Sequence, residues 1–406
     1  MSNRRFLSEH RRTVSLEKIL IVLYAIYACR GAWLAFESNQ YLPWFALLMI
    51  TLTYICVGVA GVYLLRNPRV SRYSIVMCAV PLLYWAMQIF HPAGGYSGGW
   101  ELALISIVLY LFLPDSIKAA IFRVFYWIVQ GANVVSILVW VLFFAGIDIG
   151  FHRVLYYAQA DQYTTYYYIR WFIFAILQSG DSYRLCGIFN EPGGLGTLCA
   201  LLFICTYKKS SRWEKVLLLI SGTCTFSLAF FLLIFGFITV YVCQKRLFNM
   251  LYIFLFLAVF LAIPQIDFHN DSLNKAAARF AITEDGLAGD NRTTDSFDRS
   301  YDEFLDSDDI WLGKGPTFSF GGANLSYKSH YILRYGFIGT AAMLGSWVAL
   351  ALYCARGRRT ALLYSLFFFV SLYQRPAVIM SITGYVLLVG GNIWLTQGLP
   401  GQEKPT

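Results

Sequence analysis

"KVLLLISGTCTFSLAFFLLIFGFITVYVC" runs from Lys215 to Cys243, and its only charged residue is its first. As one helix it is long enough to cross a bilayer once. As two short helices broken at Thr225-Phe226-Ser227 it crosses twice. The choice sets the side on which everything downstream falls. Basic residues decide it, because Lys and Arg collect in short cytoplasmic loops.

Apolar runs of this kind lie near 18–36, 42–65, 73–90, 101–114, 119–147, 192–207, 215–227, 228–243, 248–266, 331–354, 361–374 and 376–396. The last two pose the same question at Gln374-Arg375-Pro376. Between the runs stand Arg4, Arg5, Arg11 and Arg12, then Arg66, Arg69 and Arg72, then Lys118 and Arg123. Lys208, Lys209, Arg212 and Lys215 follow, then Lys245 and Arg246, then Arg356, Arg358 and Arg359. With twelve spans all of these face one side, together with both termini. A single span over 215–243 would put the last two basic loops outside.

The expected fold is therefore all-α and polytopic, with about twelve transmembrane helices and two long outward-facing loops. Residues 1–147 hold helices one to five, 148–191 the first outer loop and 192–266 helices six to nine. Residues 267–330 form a large acidic outer loop, 331–396 helices ten to twelve, and 397–406 a cytoplasmic tail.

Composition agrees: 58% of the 406 residues are hydrophobic and 14% charged, too few charges for a soluble chain of this length. The net charge of +9 belongs to the topology-setting loops and does not call for nucleic acid. No small-residue cleavage site follows a short apolar core, so the first run is expected to remain as an anchor. Nine scattered cysteines, with no CxxC or Cys/His spacing, read as small core residues. Neither a P-loop nor GxGxxG is present, so no feature calls for a nucleotide, and no cofactor is expected. The absence of an internal repeat weighs against common transporter folds.

The first outer loop is tyrosine-rich, "YYAQADQYTTYYYIRWF" from Tyr156 to Phe172. The second carries twelve Asp or Glu against six Lys or Arg, which reads as a solvated face without EF-hand spacing.

Three places set polar groups against apolar runs. In "RLCGIFNEPGGLGTLCALLF", Arg184 to Phe203, Pro192 suits the first turn of a helix, with Glu191 at its cap. Gly193, Gly194 and Gly196 leave backbone bare beside a helix N-terminus, which favours anions. The plainer reading is a tight turn with Arg184 and Glu191 paired. In "GKGPTFSFGGANLSYKSHYILRYGFIG", Gly313 to Gly339, His330 stands at the mouth of a span with Arg334 four residues on. That spacing places both on nearly one helical face. Gly336 and Gly339 would allow close helix packing. The third place is Arg375, between the last two runs. Arg30, Arg170, Arg292, Arg299 and His91 are weaker candidates. Arginine forks suit diphosphate, and outward Tyr and Trp suit sugars.

Arg184, Gly187, Glu191, Pro192 and Gly193, followed by Gly313, Gly315, His330, Gly336 and Gly339, resemble the motifs of Wzy-type bacterial polysaccharide (O-antigen) polymerases. These belong with the O-antigen ligases in one superfamily. The motif matches cover about 184–200 and 311–340. The resemblance implies a metal-independent, GT-C-like membrane glycosyltransferase of the bacterial inner membrane, with its site facing the periplasm. It would move a growing glycan from undecaprenyl diphosphate to the non-reducing end of another lipid-linked repeat unit. A Wzz-type chain-length co-polymerase and a flippase are the implied partners. Arg184, Arg334 and Arg375, with Gly193 and Gly194, would hold the diphosphate, and His330 or Glu191 would be the base. An O-antigen ligase acting on lipid A core is the near alternative. A flippase or transporter of lipid-linked glycan is the distant one, and one-sided arginines weigh against it.

Overall fold

The structure, a computed structural model, describes residues 16–29, 44–68, 71–96, 101–158, 165–179, 182–243, 262–267, 295–319, 326–376 and 381–397, with scattered positions between. Arg30, Arg292, the basic residues at 4–12, Arg69, Lys245, Arg246 and most of the expected span 248–266 lie outside them.

The chain forms two compact units. The first holds α1 (16–28), α2 (Trp44–Arg66), α3 (Arg72–Ile89), α4 (Glu101–Phe112) and the start of α5 (Asp115–Phe144). The second holds the rest of α5 from Val129, then strands β1 (His152–Ala158), β2 (Thr165–Trp171), β3 (Phe174–Ser179) and β4 (Ser182–Gly187). It continues with α6 (Pro192–Thr206), α7 (Arg212–Cys224) and α8 (Leu228–Cys243). The chain then returns to the first unit for α9 (Asp295–Leu305), α10 (Lys328–Ala355), α11 (Arg359–Gln374) and α12 (Ile382–Thr396).

A helix break is present at both places where one span or two had to be decided. α7 stops at Cys224, Phe226 turns left-handed at φ +46°, and α8 starts at Leu228. Ser211 and Glu214 close a capping box that starts α7. α11 stops at Gln374, and Ser381 caps α12 by accepting from Gly384 N–H. Every expected apolar run except 248–266 contains one of these helices.

Among the described residues, two helices, α5 and α10, are long and apolar enough to cross a membrane; the stretch Ile50–Arg66 of α2, and helices α4, α6, α8, α11 and α12, are apolar but shorter. α2 is apolar around its whole circumference, a pattern found where a helix has no aqueous face. Leu47 is 67% exposed on it and Leu65 83%.

The first unit is closed by aromatic packing. Trp347 of α10 stacks on Phe368 of α11 at 6.0 Å and meets Tyr385 of α12 at 4.6 Å. Tyr364 donates to the Leu387 carbonyl, and Asn392 to Ser365 Oγ, both at 2.9 Å. Arg356, at the far end of α10, pairs with Asp115 at 2.5 Å, and the buried Lys118 lies 3.4 Å from the same carboxylate.

The segment expected as a first outer loop, 148–191, carries regular structure that the sequence reading did not include. It is a four-stranded antiparallel sheet in chain order, added to an otherwise mostly helical protein. β1 pairs with β2 from His152↔Arg170 to Ala158↔Thr165, and β2 with β3 from Trp171↔Phe174 to Tyr166↔Ser179. β4 leads through a short turn into α6, which is buried along nearly its whole length.

Within the acidic segment, α9 is amphipathic. Phe297, Tyr301 and Phe304, spaced i, i+4 and i+7, bury against Ile332 and Leu333. Asp302, Glu303, Asp306, Asp308 and Asp309 are exposed, the solvated face the sequence implied.

Candidate functional site

In the first unit the polar residues gather where α10 begins. Its first turn, Lys328–Ile332, is π-helical, a form that recurs at functional sites. The helix breaks again at Gly336, with φ +62° and ψ −173°. In an unbroken helix the carbonyls of Leu333 and Arg334 accept from the amides four residues on. Here Lys314 N–H donates to Leu333 at 2.7 Å and Gly315 N–H to Arg334 at 3.1 Å. Ile338 N–H in turn donates to the Trp311 carbonyl at 3.1 Å. The loop 311–315 thus supplies the backbone partners that the break disturbs.

Glycine makes this interlock possible. A Cβ on Gly336 would meet the Trp311 carbonyl and Leu312 N closer than 3.0 Å, and one on Gly313 would meet Arg334 O and Gly336 N. Gly313 and Gly315 also hold φ of +86° and +107°, which L side chains rarely adopt. Gly336 is therefore a backbone break, a different role from the helix packing expected of it. Gly339 does sit at a close approach, to Met87 of α3.

A third segment completes the lock. His91 Nε2 lies 2.7 Å from the Leu312 carbonyl, and Nδ1 lies 3.1 Å from the Ala93 N–H. Nδ1 therefore accepts and Nε2 donates, which fixes the neutral tautomer. On sequence alone His91 is one of the weaker candidates. Its partner lies 221 residues away, and no local signal marks that contact.

Arg334 is held by this frame. Its Nε donates to the Phe318 carbonyl at 3.1 Å, and the side chain is half-buried. The two terminal nitrogens make no hydrogen bond or ion pair among the described residues. Tyr335, next in sequence, shares a 3.2 Å hydroxyl contact with Tyr84 of α3. His330 lies four residues before Arg334 and is also half-buried. Lys328 pairs with Asp298 at 3.3 Å and lies 4.8 Å over the Tyr301 ring.

Arg375 ends α11, its N–H donating to the Ser371 carbonyl at 2.9 Å. The break it occupies is tied to the start of α10, because Tyr331 donates to the Pro376 carbonyl and Tyr327 meets Tyr373 at 5.2 Å. The structure therefore brings the backbone of the Arg375 break against the turn that carries His330.

Arg184, Glu191, Gly193 and Gly194 lie in the second unit. Glu191 is the N-cap of α6 and Pro192 its first residue, as the sequence implied, but the carboxylate makes no capping bond. Arg184 faces the α7–α8 break: Nε donates to the Thr225 carbonyl at 2.9 Å and Nη2 to Phe226 at 3.2 Å. Thr225 is the C-cap of α7, and Phe226 lies in the turn just beyond it. Part of the arginine expected at a diphosphate is thus committed to holding a helix end.

Arg170 was given little weight by sequence and is almost fully buried, its guanidinium 4.7 Å from the Tyr168 ring centre. The register Tyr168↔Leu177↔Arg184 and Arg170↔Ala175↔Gly187 sets both arginines on one sheet face with Tyr168. Tyr168 donates to the Asn190 carbonyl, which ties that face to the entrance of α6. Burial lowers the Arg170 pKa below its ordinary value. Burial also pushes the Cys186 thiol up to about 12, against the opposing pull of Arg184 and Arg170.

Among the described residues no three His, Cys, Asp or Glu side chains are placed to hold a metal ion. Comparison of the chain with protein-family models, with curated proteins and with solved structures gives no match.

Proposed function

We propose that this protein is a polysaccharide polymerase of the bacterial inner membrane. It joins undecaprenyl-diphosphate-linked repeat units at the periplasmic face, with the helices crossing the bilayer twelve times. The observation that carries the reading is Arg334. A half-buried guanidinium whose terminal nitrogens are unused among the described residues, fixed by Nε to a glycine-locked loop, suits a planar oxyanion such as diphosphate. The one-sided basic loops and the outward apolar side chains of α2 support the membrane placement.

In this mechanism Arg334 neutralises the charge that grows as the bond from the anomeric carbon to the phosphate oxygen breaks. His330, four residues before it, takes the proton of the attacking acceptor hydroxyl. Undecaprenyl diphosphate leaves, and attack opposite to it inverts the anomeric centre. Arg375, beside the turn that carries His330, adds positive charge to the same unit. In the second unit, Arg184 and Arg170 shape the sheet face over the start of α6, and Glu191 stands at the N-cap of that helix.

Purified protein in nanodiscs, given lipid-linked repeat units alone, tests the reading. A ladder of products on a gel supports a polymerase. Transfer that needs added lipid A core means a ligase. No transfer in either mixture, beside an active control enzyme, overturns the enzyme reading.

A further inference from the structure

The β2–β3 turn carries residues that do not suit its geometry. Trp171 pairs with Phe174, which leaves Phe172-Ile173 as a two-residue turn. Phe172 has φ +49°, at a position where hairpins of this length normally use glycine, asparagine or aspartate. A bulky residue there is a backbone outlier. Phe172 is also 64% exposed, and Trp171 and Ile173 are part-exposed. In water this combination has neither conformational nor burial benefit.

Register identifies which end of the sheet the turn occupies. Ala175 pairs with Gly187, five residues before α6 starts at Pro192, and His152 pairs with Arg170, eight residues after α5 ends at Phe144. The Phe172 turn therefore lies at the end of the sheet where the chain enters from α5 and leaves for α6. On α5, Val134, Leu138, Val141 and Phe144 are half or more exposed, and so is Ile147 just beyond it. Their spacing of three or four residues makes one apolar stripe. α5 lies along β4: a Cβ on Gly187 would meet Ser136 Oγ, and Phe144 meets Tyr183 at 5.9 Å, so the Val134–Leu138 part of the stripe is level with the Phe172 turn.

We propose that the Phe172-Ile173 turn, with Trp171 at its edge, inserts into the outer leaflet of the bilayer beside the lipid-facing stripe of α5, at the level of Val134 and Leu138. The ligand is membrane lipid: acyl chain around Phe172 and the headgroup boundary at Trp171, where Trp commonly sits. This rests on the membrane-spanning reading above. It gives the sheet a lipid anchor at the end that carries Arg170, so the arginine face keeps a fixed height over the start of α6.

The test is spin labelling of Phe172→Cys in nanodiscs, reading collision with dissolved oxygen against collision with a water-soluble nickel complex. Ser182→Cys, at the opposite end of the sheet, and Leu138→Cys, on the α5 stripe, are read alongside. The unsubstituted chain supplies the background; seven of the eight described free cysteines are buried. The expected result is oxygen favoured several-fold at 172 and 138, and nickel favoured at 182. Lipid at 138 with water at 172 overturns the anchor and leaves the membrane reading standing. Water at 138 overturns both.

Discussion

Gly313 and Gly336 exclude side chains from each other's surroundings: a Cβ on the first would fall against the backbone nitrogen of the second. The broken helix and the loop that repairs it meet at that contact, and the position of Arg334 depends on it. Substituting alanine at either residue adds a clash with backbone to an unfavourable φ. Each change is expected to cost about 3 kcal/mol or more. Gly345→Ala on the same helix meets nothing within 4 Å and serves as the control. It should be neutral or stabilise by about 0.5–1 kcal/mol. Thermal unfolding of the three variants in one detergent checks the contrast.

Arg184→Ala should lower stability as well as activity. It removes two charge-assisted hydrogen bonds to the Thr225 and Phe226 carbonyls. On a part-exposed side chain these amount to about 2 kcal/mol together. Arg184→Lys keeps one donor direction and should recover part of the loss. A variant that unfolds at the normal temperature and lacks activity would show that the helix-end role is secondary.

How far these residues were legible in sequence depended on the range of the signal. The break at Thr225-Phe226-Ser227 was legible because the placement of basic residues on both sides of it called for two helices rather than one. Pro192 announced its own position at the start of α6. The sheet was not read, because "TTYYYIRW" puts aromatic or apolar residues on both faces and hides the alternation that marks a strand. Its β-favouring composition and the Gly180-Asp181 pair between β3 and β4 were the signals available. Gly336 was singled out for packing, but its left-handed φ follows from a partner loop more than twenty residues away in the chain. His91 gains its place from a partner 221 residues away, and Arg170 from burial within the sheet, neither of which composition and spacing carry.

Cys186 offers a pH test. Its folded pKa, about 12, lies above the ordinary thiol value because burial disfavours the thiolate. The folded state therefore holds its proton while the unfolded state releases it. The contribution is fully present below about pH 8.5 and is lost as pH rises toward 12, by about 1.4 kcal/mol per unit. Cys186→Ser should flatten the alkaline fall in stability over that window. In the native protein a maleimide at pH 8 should leave Cys186 unlabelled, and denaturant should expose it.

Tyr331 and Pro376 join the start of α10 to the Arg375 break. Tyr331→Phe removes that donor and nothing else of its shape, so it should cost about 1 kcal/mol of stability. If the tie also positions His330, chain extension should slow while Arg334-dependent substrate binding holds. Measuring KM and kcat separately on lipid-linked repeat units checks the split.

The most direct measurement compares Arg334→Ala, Arg334→Lys and the unsubstituted protein in the ladder assay, with thermal unfolding beside it. A ladder is expected from the unsubstituted chain, with at least about a hundredfold loss in Arg334→Ala. The lysine variant should recover part of it, with little change in unfolding temperature. A full ladder from Arg334→Ala would mean that the diphosphate is held elsewhere and would overturn the role of Arg334.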